Sequence, residues 1–68
     1  MAIVKVIEVL AQSDKSWEDA AQVALKEASK SVRNIRSIYI QEMECKVENG
    51  QISQYRINAK ISFQIEPD

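Results

Sequence analysis

The sequence predicts an α+β fold of order β-α-β-β, a three-stranded antiparallel sheet curled around one helix. Three observations carry this reading. Val and Ile crowd residues 2–11, apolar residues recur at spacings of three and four over 17–35, and Asn49-Gly50 separates two long extended segments.

The first strand is placed at Ala2 to Ala11. Ile3, Ile7 and Val9 fall on one face and Val4, Val6 and Leu10 on the other, the pattern of a strand covered on both sides. In so small a chain, part of the second cover is expected from a neighbouring subunit. Ser16 then reads as a helix N-cap, and Asp19 three positions later completes a capping box. Glu18 and Asp19 suit the positive helix start, and Lys30 and Arg33 its negative end. Trp17, Ala20, Ala21, Ala24, Leu25, Ala28, Val32 and Ile35 make one apolar stripe, so the helix is placed at about 17–33. The alanines along that stripe let it approach a sheet closely.

Two strands follow, at about 35–48 and 51–66, joined at Asn49-Gly50, a dipeptide that tolerates positive φ at both positions of a tight hairpin turn. Tyr55, Ile57, Ala59, Ile61, Phe63 and Ile65 alternate with Arg56, Asn58, Lys60, Ser62 and Gln64. The helix is expected on the Ile57-to-Ile65 face, and this strand, with its clean alternation, in the centre of the sheet. Its partner is less regular: Ile38 and Ile40 take one phase, Met43, Cys45 and Val47 the other. That slip predicts a bulge near Gln41-Glu42. Pairing Val47 with Ile52 predicts a second irregularity near Ser53-Gln54. Past it Cys45 faces Tyr55, Met43 faces Ile57 and Glu44 faces Arg56.

Sixty-eight residues allow one domain, placed at 1–68. A chain this short buries only about 60% of its unfolded surface, and small domains make up the deficit with disulfides, a metal or association. Cys45 is the one cysteine and histidine is absent. Intrachain disulfides and His-Cys zinc sites are therefore excluded, and self-association is the expected remedy. With nine basic and ten acidic residues spread along the chain, the basic stripe of a nucleic-acid binder is missing. The longest uncharged run is seven residues, Asn49 to Tyr55, so no membrane span is expected. Lys5 and Glu8 interrupt any signal-peptide core, and a reduced, cytoplasmic setting is the expectation.

Catalysis has little to work with. Without histidine there is no Ser-His-Asp or Cys-His arrangement, and Cys45 in an alternating strand reads as a small core side chain. An enzyme is not expected. Trp17 reads as an anchor on the sheet edge or a neighbour, and Tyr39 and Tyr55 as packing residues, although both could stack on a planar ligand. Glu42, Glu44 and Glu48, with Lys46 among them, form the polar side of the second-last element. One reading is a solvated face paired with Arg56 and Lys60. The sharper one is an oxygen site for a hard cation at Glu42 and Glu44, completed across subunits, because calcium takes six to eight oxygens.

Taken together, Val4-Lys5-Val6-Ile7-Glu8, Ser13, Ser16-Trp17-Glu18-Asp19-Ala20-Ala21 and Ile61-Ser62-Phe63-Gln64-Ile65-Glu66 resemble the dodecins in order and spacing. The resemblance implies a homo-dodecamer, a hollow shell of tetrahedral symmetry. It also implies a non-enzymatic function, the storage of a flavin, FMN or riboflavin, as paired rings between subunits. Two family contacts to the flavin, a stacking tryptophan and a hydrogen-bonding glutamine, fall here on Ser37 and Arg56, so the positions match and the identities do not. Ser16-Trp17-Glu18 and Tyr55-Arg56-Ile57 look closer to a branch that lacks the tryptophan and binds calcium, which gives Glu42 and Glu44 their weight. A structural shell without a ligand is the remaining reading.

Overall fold

The computed structural model describes residues 3–65. Strand β1 spans Val4–Ser13, helix α1 Trp17–Ala28, strand β2 Ile35–Glu48 and strand β3 Gln51–Gln64. They form one antiparallel sheet in the order β1-β3-β2, with the last strand central as its alternation predicts. The helix packs mainly over β1 and β3.

At the hinge between β2 and β3, Asn49 and Gly50 both have positive φ, 54° and 73°, the conformation required by a two-residue turn that matches strand twist. The register contains the two predicted slips: Gln41 is unpaired between Ile40 and Glu42, and Ser53 is passed over between Lys46 and Val47. Cys45 faces Tyr55, Met43 faces Ile57 and Glu44 faces Arg56. A third slip, at Arg36, was not foreseen.

Ser16 caps the helix by accepting the Asp19 N–H at 2.9 Å. The Asp19 carboxylate serves a different partner from the one a capping box supplies. It accepts from the buried Ser13 Oγ at 2.6 Å, and that hydroxyl accepts the Lys15 N–H at 2.9 Å. The β1–α1 connection is thereby tied at three points. The helix ends at Ala28, about five residues before the predicted end. Lys30 and Ser31 donate to carbonyls three residues back and Ser29 Oγ takes the Leu25 carbonyl, a tightened turn that closes the helix. Asn34 at φ 61° then redirects the chain, and Ile35 leaves the helical stripe to pair with Phe63 in the sheet. β1 begins and ends two residues later than predicted. Ala2 and Glu66, included in the predicted strands, lie outside the described residues.

The core is small: Ala20 and Ala24 of the helix meet Ile57, Ala59 and Ile61 of β3, with Val9, Ala11, Trp17, Ala21 and Ile38 around them. Alanine on the helix brings it close to the sheet, so Ile57 and Ile61 supply most of the buried volume. Shortening either should open a cavity that neighbouring alanines cannot fill. Ile57→Ala and Ile61→Ala are each expected to cost about 2–5 kcal/mol, read as a lowered midpoint in urea denaturation.

Candidate functional site

Strand alternation sets two faces. Ile7, Val9, Ala11, Ile38, Ile40, Met43, Cys45, Tyr55, Ile57, Ala59 and Ile61 share the helix side. On the outer face the register makes rows across all three strands. One row is Leu10–Asn58–Glu42, the next Gln12–Arg56–Glu44, and further along lie Glu8–Lys60–Tyr39 and Val6–Ser62–Ser37.

Glu42 and Glu44, the candidate cation ligands, sit side by side on this face, about 7 Å apart along the strand, with Met43 pointing to the other side. Both are exposed. Among the described residues neither carboxylate has an ion-pair partner, whereas Glu48 pairs with Lys46 at 3.6 Å. Arg56 lies opposite Glu44, yet its Nε donates to Gln12 Oε1 at 2.9 Å on the far strand. The expected carboxylate pairing with Arg56 and Lys60 is therefore replaced by a side-chain hydrogen bond from Arg56 to β1. A cavity of about 230 Å³ opens beside this row, lined by Leu10, Gln12, Glu44 and Arg56.

Asn58, between Leu10 and Glu42, contributes a group that sequence inspection overlooked. Its Oδ1 is buried and has no hydrogen-bond partner, an arrangement that costs about 1–3 kcal/mol unless something satisfies it. Directly opposite residues of an antiparallel pair have Cβ atoms about 5 Å apart, so Asn58 is the cross-strand neighbour of Glu42. Among the described residues no group of three or more acidic, Cys or His side chains converges on one point. Within one chain the outer face brings only the carboxylates of Glu42 and Glu44 side by side, fewer oxygens than calcium takes.

Ser37 and Arg56 are not brought together. Ser37 lies opposite Ser62, with the two hydroxyls hydrogen-bonded to each other. Ser62 is six residues from Arg56 on the same strand, about 20 Å at strand rise. A ligand touching both positions would need two chains.

Trp17 fixes the strand that carries the carboxylates. Its Nε1 donates to the Glu44 carbonyl at 3.1 Å, and its ring meets the Tyr55 ring edge-on, 5.1 Å between centroids and 78° between planes. It is thus an anchor between helix start and hairpin, and Tyr55 is its packing partner. Tyr39 stands on the outer face and is exposed. Among the described residues no helix is long and apolar enough to cross a membrane.

Such a chain is a small βαββ subunit with an open polar sheet face and a core on the other side only. The Dodecin family profile matches residues 3–66, and the chain belongs to the dodecin family. Calcium dodecin of Mycobacterium tuberculosis is 36% identical over 67 residues, covering 98% of this chain and 94% of that protein. The crystal structure of that calcium-chelating antigen, described as having a novel calcium-binding site, matches at TM-score 0.82 and 37% identity, over 97% of this chain and 94% of that one. Dodecin from Streptomyces coelicolor shares the fold at TM-score 0.92 and 22% identity, over 98% and 96% of the two chains.

Trp17→Phe keeps the ring and removes the N–H donor. It is expected to destabilise the chain by about 1 kcal/mol, and Trp17→Ala by about 3–5 kcal/mol, both measured by denaturant titration.

Proposed function

We propose that the chain is a non-enzymatic subunit of a homo-dodecameric shell, working in the cytoplasm, and that its outer sheet face binds a hard divalent cation, calcium. The observation that carries the cation reading is the orphaned Oδ1 of Asn58, the residue paired with Glu42 across the strands, with Glu44 alongside. A neutral oxygen beside two carboxylates without ion pairs is a donor set for calcium and a poor one for softer metals. The likeness to a calcium dodecin supports the same reading. The single unpaired Cys45 accords with a reducing compartment.

Flavin storage, the family alternative, is weakened at both of its matching positions. Ser37 offers no aromatic surface and its hydroxyl is engaged by Ser62. Arg56 has donors only, one of them engaged by Gln12.

Calorimetric titration of the assembled protein with calcium should give saturable heat. At a hundredfold excess over Kd, calcium should stabilise the fold by about 2.7 kcal/mol. Glu42→Gln and Asn58→Ala should each weaken binding tenfold or more, and FMN added at micromolar concentration should keep its fluorescence. Absence of calcium heat, with an unchanged melting temperature, would overturn the cation reading. Quenched FMN would return the function to flavin storage.

A further inference from the structure

Two cations flank Glu44 on the outer sheet face, and each is engaged elsewhere. Lys46, two residues along the same strand and about 7 Å away at strand rise, pairs with Glu48 at 3.6 Å. Arg56 is the residue directly opposite Glu44. Its Nε donates instead to Oε1 of Gln12 at 2.9 Å, which draws the side chain toward β1. Gln12, Arg56 and Glu44 make one row across the three strands and line the same cavity of about 230 Å³.

This choice of partner runs against charge. An Arg and a Glu directly opposite on one face of an antiparallel pair have Cβ atoms about 5 Å apart, and opposite charges at that spacing stabilise the pair. Here the guanidinium is held by a neutral amide. Gln12 and Glu44 stand on the two edge strands with Arg56 between them on the central one, so one side chain can serve either neighbour.

The consequence falls on the carboxylate. A guanidinium is a permanent cation with five donors and no acceptor, and it binds carboxylates in a matching fork. It therefore competes with a divalent ion for the same oxygens. A carboxylate that accepts from a guanidinium has fewer free lone pairs, and less of its charge is left for a metal. With Arg56 on Gln12 and Lys46 on Glu48, both nearby competitors are withdrawn from Glu44.

We propose that Gln12 is a positioning residue for the cation site. By holding Arg56 toward β1 it keeps the Glu44 carboxylate open to a divalent cation, and an Arg56 released from Gln12 closes that carboxylate by pairing with it. The inference rests on the cation reading above and specifies how the affinity of that site is set. Gln12 acts through Arg56 rather than on the ion.

Calcium titration calorimetry on the assembled protein, run as a double-substitution cycle, tests this role. Gln12→Leu removes the acceptor and should weaken calcium binding about two- to fivefold, the competition an exposed ion pair provides. Arg56→Met removes the competing charge and should tighten binding, more at low salt than at high. In the Arg56→Met background, Gln12→Leu should leave Kd unchanged, since no guanidinium remains to be held. An equal loss on Gln12→Leu in both backgrounds, or no loss in either, would overturn the proposal. A crystal structure of Gln12→Leu without calcium reads the same movement independently of the metal. A guanidinium nitrogen of Arg56 should lie within about 4 Å of a Glu44 carboxylate oxygen; a guanidinium that stays clear of Glu44 would overturn the proposal. No calcium heat from the unsubstituted protein would instead overturn the cation reading beneath it.

Discussion

A mismatch of lengths governs this molecule. One twelve-residue helix lies on a sheet whose two longest strands have fourteen residues each, and a helix gains less than half the length per residue that a strand does. The helix therefore covers only part of the sheet, and among the described residues the buried apolar set is Ala20, Ala24, Ile57, Ala59 and Ile61. A radius of gyration of 13.8 Å and a long dimension of 51 Å follow, against about 11 Å for a compact chain of this size. Such a core is marginal on its own, and exposed apolar side chains such as Val47 and Ile52 are left for another surface to cover.

The bulges make the long hairpin serve two purposes at once. By leaving Gln41 unpaired, β2 keeps Ile38 and Ile40 and then Met43 and Cys45 on the helix side. Glu42 and Glu44 are by the same step placed together on the outer face. Without that slip the carboxylates would turn inward, since a one-residue shift exchanges the faces of a strand. Trp17 then fixes this stretch through the Glu44 carbonyl. The core and the candidate cation site thus share one piece of backbone. Apolar side chains and carboxylates occupy its two sides.

Much of this was legible in the residues themselves. Alternation from Tyr55 to Ile65 identified the central strand, Asn49-Gly50 the turn, and the phase change between Ile40 and Met43 the first bulge. The helix end was less legible because apolar spacing runs on through Val32 and Ile35, while the chain stops the helix by backbone hydrogen bonds around Ser29 to Ser31. Counting Ile35 with the helix also hid the slip at Arg36, since Ile35 and Ile38 share a face of the sheet at an odd spacing. Of the candidate site, Glu42 and Glu44 were visible as carboxylates on one side of a strand. Asn58 and Gln12 were not, because their rows depend on a register between strands far apart in sequence. The orphaned oxygen of Asn58 is a property of packing that composition does not record.

The central claim is that copies of the chain supply the cover its own helix cannot. Native mass determined alongside urea denaturation, at several protein concentrations, tests it most directly. The account expects a particle of about 92 kDa, twelve chains of 7.7 kDa, whose unfolding midpoint rises with protein concentration because assembly favours the folded state. A stable 7.7 kDa species with a midpoint independent of concentration would contradict it.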